Sequence, residues 1–131
     1  MKFKYKNYGQ GFLRPVIPIE IIYQNLSIPC EALVDSGADF CIFDAQIGEL
    51  LGINITKGER REVWGITGVG QSYYVHLVEI KVGGWSYKIK VGFLPEIAKL
   101  GYGVLGQRGF FDIFVVKFDL LKEEIELKVR R

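Results

Sequence analysis

The sequence predicts a mostly-β domain of about eight short strands that close, wholly or in part, into a barrel, with one or two short helices. Three observations carry this expectation. Apolar and polar residues alternate with period two over long stretches, β-branched residues concentrate in those stretches, and apolar spacing of the helical kind is scarce. Antiparallel strands need their edges covered, and a sheet closed on itself covers them.

Each element has its own signal. Val16 to Ile22 reads as a strand, with Pro18 confining it to an edge or a bulge because proline has no N–H for a ladder. A turn over Tyr23 to Ser27 leads into a strand from Glu31 to Val34, which delivers Asp35. Asp44 can cap a short helix through Ala45, Ile47, Leu50 and Leu51, and Gly52 is placed to end it. Arg61 to Trp64 is extended, Gly65-Ile66-Thr67-Gly68-Val69-Gly70 is a glycine-rich turn, and Ser72 to Val82 returns as a long arm. The three form a hairpin with a flexible tip. Gly83-Gly84 marks a tight turn, after which Trp85, Tyr87, Ile89, Val91 and Phe93 alternate with Ser86, Lys88 and Lys90 as a strand with one buried face. Pro95 to Leu100 is a second helix candidate, with Pro at its first position and Gly101 to stop it. Val104-Leu105-Gly106 and Phe114 to Phe118 follow. The last strand sets Ile125, Leu127 and Val129 against Glu126, Lys128 and Arg130, paired back through a turn at Leu120 to Glu124.

Composition narrows the function. At 131 residues the chain has room for one core, so residues 1–131 form one domain. Hydrophobic residues make up 49% and charged residues 24%, the balance of a folded globule and not of a disordered tail. The 17 basic and 15 acidic residues are spread without a long run of either sign, which argues against nucleic acid as a partner; the ending Lys128-Val129-Arg130-Arg131 is a solvated terminus. Nothing near Met1-Lys2-Phe3-Lys4-Tyr5-Lys6 is apolar for long enough to be a signal peptide or a membrane span, so no membrane is expected and a cytoplasmic location is the default. The two cysteines, Cys30 and Cys41, sit in apolar surroundings as buried thiols. With His76 the single histidine, in a strand-like run, a multi-histidine metal site has no ligands; no metal and no cofactor are expected.

The chemistry concentrates in Ala32-Leu33-Val34-Asp35-Ser36-Gly37-Ala38-Asp39. Burying an ionised carboxylate costs several kcal/mol unless it is paired or hydrogen-bonded, so a strand that ends in Asp-Ser-Gly holds that charge for a purpose. Hydrolysis of an uncharged peptide bond needs a water made nucleophilic on one side and a proton supplied on the other. Two carboxyl groups sharing one proton do both, and aspartic proteases are the standard example.

This segment resembles the active-site turn of retropepsin-like aspartic proteases, single-domain relatives of pepsin. Three further segments stand in that family's order: Arg14-Pro15 ahead of the first strand, a glycine-rich flap at Gly65 to Gly70, and Val104-Leu105-Gly106 threading past the active-site loop. Together they span roughly residues 14 to 118. The resemblance implies a retropepsin-like barrel with a flap hairpin and an endopeptidase that acts on polypeptides without a cofactor, favouring mildly acidic pH because the pair must hold one proton. Only one Asp-Ser-Gly or Asp-Thr-Gly triplet occurs, so a homodimer is implied, with Asp35 of each copy facing on a twofold axis. Ser36 would offer its hydroxyl across that axis and Gly37 would admit close backbone approach. Asp39 would accept hydrogen bonds from arginines at the interface, and Arg14 matches one of them. For the second, Gly106-Gln107-Arg108 replaces the family's Gly-Arg: either Arg108 takes the role from a shifted position, or Gln107 replaces it with an uncharged contact.

In the flap, Gly65, Gly68 and Gly70 would let the tip open and close, and Trp64, Ile66 and Val69 would supply its apolar underside. The cleft would be lined by residues such as Leu33, Phe40, Ile66, Val69 and Leu94. Ile125 to Val129 would either add to the partner's sheet or fold back on its own subunit. The alternative function is a non-catalytic module of the same fold that binds extended peptides or dimerises.

Overall fold

Closure of the sheet is achieved by one long strand that serves two neighbours along a single edge. The computed structural model describes residues 1–64, 70–95 and 101–130. Among these are strands β1 (Lys2–Lys4), β2 (Lys6–Asn7), β3 (Leu13–Arg14), β4 (Val16–Tyr23), β5 (Leu26–Val34) and β6 (Ile42–Asp44), then helix α1 (Ala45–Leu50) and a 3-10 turn at Ile55–Lys57. They continue with β7 (Glu59–Trp64), β8 (Gly70–Val82), β9 (Trp85–Leu94), β10 (Gly103–Leu105), β11 (Phe114–Asp119) and β12 (Glu124–Val129). Seven strands lie in the order β4-β5-β10-β6-β9-β8-β7. The first part of β8 pairs with β7, from Trp64–Gly70 to Glu59–Val75, and its last part pairs with β4 through Glu20–Lys81, Ile21–Ile80 and Ile22–Glu79. That second pairing closes the sheet into a ring.

A second sheet, β1-β12-β11, puts the C-terminal strand in the middle. β12 pairs with β11 from Phe114–Val129 to Asp119–Glu124, and with β1 through Lys2–Glu126, Phe3–Ile125 and Lys4–Glu124. Met1 and Leu127 exchange backbone hydrogen bonds, Leu127 N–H to Met1 at 2.8 Å and the terminal amine to Leu127 at 3.0 Å. Ile125 to Val129 therefore folds back on its own subunit. One continuous core joins the two sheets: Ile125, Leu127 and Phe114 are fully buried with Ile17, Ile21, Phe43 and Phe93 of the ring. Phe114 meets Phe110 at 5.1 Å and Tyr87 of β9 edge-on at 5.6 Å. Full burial of side chains this size contributes about 2–3 kcal/mol each.

Local choices follow the sequence closely. Asp44 caps α1, its carboxylate accepting from the Gln46 N–H at 2.7 Å, and Gly52 takes φ +83° just beyond the cap residue Leu51. Pro18 and Pro29 both lie where their strands are paired on one side only, β4 meeting β8 from Glu20 onward and β5 meeting β10 from Ala32 onward. His76 is structural: its Nε2 lies 2.8 Å from the Ile55 carbonyl oxygen.

Several expectations are corrected. β5 starts at Leu26 and β4 runs to Tyr23, so the turn is only Gln24-Asn25; the pairing of Tyr23 with Leu26 outweighs the turn propensity of Asn25 and Ser27. The short strands β1, β2, β3 and β6 carry too few residues to show periodicity. Trp85 is 44% exposed at the start of β9 rather than on its buried face, because the hairpin end lies beyond the core. The helix expected at Pro95 to Leu100 falls, apart from Pro95, outside the described residues.

The cysteines are free, Cys41 fully buried and Cys30 partly. Burial pushes both thiols from the ordinary 9.0 up to about 12; the nearby Glu31 carboxylate adds to the rise at Cys30, while the Gly106 N–H opposes it at Cys41. The native state thus keeps both protons through a range where the unfolded chain has released them. The unfolded chain then binds fewer protons, so stability falls as pH rises above about 9. Urea midpoints measured between about pH 8 and pH 11 should fall more steeply for the native sequence than for a Cys30→Ala, Cys41→Ala double variant. Equal slopes would remove the thiols as the cause.

Candidate active site

The register of β5 sets where Asp35 leaves the sheet. Ala32 and Val34 point into the core, and β10 runs parallel to this end of β5 with Gly103 opposite Ala32 and Leu105 opposite Val34. The Val104-Leu105-Gly106 segment thus threads beside the strand that delivers the carboxylate. The chain is anchored on both sides there: Val34 N–H donates to Pro15 at 2.9 Å and Asp35 N–H to Leu105 at 3.0 Å.

Beyond that point the chain folds into a tight turn. Ala38 N–H returns to the Asp35 carbonyl at 3.2 Å, and the Asp35 Oδ1 accepts from the Gly37 N–H at 2.8 Å, which fixes the direction of the carboxylate. A Cβ at Gly37 would stand 3.2 Å from that same Oδ1. Asp35 is half-buried, whereas Ser36 and Gly37 are exposed, so the turn presents its tip at the surface.

A second loop is mated to this turn through the backbone. Gln107 N–H donates to Ala38 at 2.8 Å and Arg108 N–H to Asp39 at 3.0 Å. Gly106 lies so close that a Cβ there would be 2.4 Å from the Phe40 carbonyl oxygen and 2.7 Å from that of Ala38. The Gln107 side-chain amide also donates to the Ser36 carbonyl. Of the two alternatives for this segment, the side chain that reaches the turn is Gln107. The Gly-Gln-Arg departure was the signal for it.

Within one chain the expected support residues have these surroundings. Arg14 sits in the β2–β3 hairpin opposite Lys6, its Nη1 donating to the Tyr102 hydroxyl at 3.0 Å and its guanidinium 5.1 Å from the centre of the Tyr8 ring. Tyr8 and Tyr102 meet edge-on at 5.7 Å, so Arg14 is drawn to an aromatic pair that nothing in the sequence announced. Asp39 is exposed, and among the described residues its carboxylate makes no ion pair with Arg14 or Arg108 inside the chain. Arg108 meets the turn through its backbone, in a bridge to Phe40.

The hairpin of β7 and β8 is formed, with Trp64 opposite Gly70 at its narrow end. Gly65, Ile66, Gly68 and Val69 lie outside the described residues. Of the other expected lining residues, Leu33 and Phe40 are half-buried and Leu94 is buried. Among the described residues no three of His, Cys, Asp and Glu come together as a metal site, and no helix is long and apolar enough to cross a membrane.

Comparisons with known proteins agree on the fold. A retropepsin-like aspartic protease from Rickettsia conorii superposes with a TM-score of 0.66 at 17% identity, over 97% of this chain and 89% of that one. The retroviral protease-like domain of Ddi1 from Leishmania major gives 0.62 at 16% identity, over 87% of each chain. The EIAV protease, solved with the inhibitor HBY-793, gives 0.50 at 20% identity, over 78% of this chain and 88% of that one. No curated protein sequence matches the chain. The family model described as aspartyl protease matches residues 19–108, from β4 through the loop that holds the Asp35 turn, and the chain belongs to that family, with a retropepsin-like fold.

Proposed function

We propose that the chain is an aspartic endopeptidase that works as a homodimer on extended polypeptides. The observation that carries this is the Asp35 turn: one carboxylate per chain, held in a fixed direction by the Gly37 N–H and presented at the surface by a loop that backbone hydrogen bonds make rigid. One chain supplies half of the two-carboxylate device, and a twofold axis through the turns supplies the rest.

In the dimer a water lies between the two Asp35 carboxyl groups, which share one proton. The ionised one takes a proton from the water as its oxygen attacks the peptide carbonyl carbon, and the other donates its proton to the carbonyl oxygen. Collapse of the tetrahedral intermediate breaks the C–N bond, with a proton delivered to the leaving nitrogen. Ser36 steadies the partner's turn across the axis, and Gly37 allows the two backbones to approach. Gln107 braces each turn from behind. The β7–β8 hairpin acts as a flap, with Trp64, Gly65, Ile66, Gly68, Val69 and Gly70 closing over substrate and removing water from the carboxylates. Arg14, Asp39 and Arg108 lie around the turn and bear on how two copies meet.

Sedimentation velocity and cleavage of an unstructured protein, measured over one concentration series, test the assembly. Specific activity should rise in step with the dimer fraction. Full activity in a strictly monomeric sample would overturn the mechanism.

A further inference from the structure

A groove of about 340 Å³ opens where the catalytic turn runs out and the flap hairpin begins, large enough for one substrate side chain. Its apolar floor is Phe40, which follows Asp39 directly, with Ile89 of β9 beside it. Its rim is cationic: Arg61 of β7, Lys90 of β9 and Arg108 line it against a single carboxylate, Asp112. The Arg61 guanidinium lies 5.8 Å from the centre of the Phe40 ring. The two acids near the groove offset only part of this rim. Asp112 is engaged by the Gly109 N–H at 2.9 Å, and Glu59 holds one edge of Arg61 through bonds of 3.2 and 3.1 Å. Three cations against these two carboxylates leave a positive balance. Lys90 and Arg108 form no salt bridge among the described residues.

Resting on the protease reading above, we propose that this groove is a specificity subsite for an acidic side chain of the polypeptide substrate, Glu or Asp, a few residues away from the bond that is cut. The groove lies beside the catalytic turn and not over it, so it takes a flanking residue. Phe40 and Ile89 pack the methylene stem, and the Arg108 guanidinium with the Lys90 ammonium takes the carboxylate, while Arg61, held by Glu59, lies over the Phe40 ring. The sequence hides this site because its three cations come from β7, β9 and the loop after β10, far apart along a chain with almost balanced charge.

The test uses a set of extended apolar peptides that differ in one residue, placed as Glu, Gln or Lys at each position in turn. Cleavage is measured with the native chain, and binding with the Asp35→Asn variant by fluorescence anisotropy. Glu at one flanking position should be preferred over Gln by about fivefold, the effect of one or two exposed ion pairs, and over Lys by more. High salt should flatten the preference. Lys90→Glu should invert it, and Lys90→Gln should weaken it, which a purely structural lysine would not do. Cleavage or binding that ignores charge at every position, or a preference unmoved by both Lys90 variants, overturns the subsite. Charge-blind cleavage leaves the protease reading standing. Charge-dependent binding without any cleavage supports the subsite and removes the catalysis.

Discussion

Replacing Asp35 with asparagine is expected to lower peptide cleavage by about a thousandfold or more, because it removes a group that must both accept and donate a proton. The fold should survive. The asparagine side-chain oxygen can still accept from the Gly37 N–H, which now lies 2.8 Å from the aspartate oxygen, and the backbone bonds of Asp35 to Leu105 and Ala38 do not involve the side chain. The unfolding free energy should therefore change by less than about 1 kcal/mol, the net worth of a typical hydrogen bond. Initial rates on an unstructured protein, together with urea midpoints, separate the two effects. On the proposed reading each chain contributes one carboxylate, so mixed dimers of native and variant chains should be as inactive as variant dimers. Undiminished cleavage by the variant would take Asp35 out of the mechanism.

Gly106→Ala should have the largest effect on stability. Its Cβ would fall 2.4 Å from the Phe40 carbonyl oxygen and 2.7 Å from that of Ala38, and both obstacles are backbone. No rotamer change relieves such a contact, so the 106–108 loop or the Asp35 turn must shift. The shift strains the Gln107–Ala38 and Arg108–Asp39 bonds that mate them. A loss of about 3 kcal/mol or more is expected, at the upper end for overpacking, read as a drop in urea midpoint without a change in slope. Activity should fall further than the loss of folded protein explains, since the displaced turn carries Asp35. An unfolding free energy within about 0.5 kcal/mol of the native one would show that the two loops are not tightly mated.

The sequence announced the features that depend on neighbours along the chain. Asp44 at the start of α1, Gly52 after it, the alternation of β9 and β12, and the Asp35 turn all follow from local spacing, and each stands where it was expected. Partnerships across the fold were hidden. Alternation says that β8 is a strand, but not that one edge serves both β7 and β4. Arg14-Pro15 marked an arginine near the turn, yet its partner depends on Tyr8 and Tyr102, brought together by a hairpin of two-residue strands too short to show a pattern. Gln107 was legible only as a departure from Gly-Arg. Its contact with Ser36 needed the loop to be built.

The central position of β12 bears on how two copies can come together. One edge of β12 is hydrogen-bonded along its length to β11, and the other is covered by β1 and Met1 from Glu124 to Leu127, all within the same chain. A neighbouring strand would meet the outer edges of β1 and β11, not the middle of this sheet. The core that joins the two sheets is built entirely within one chain. On the proposed dimer reading, assembly would fall to side-chain surfaces around the turn, and concentration would set the active fraction.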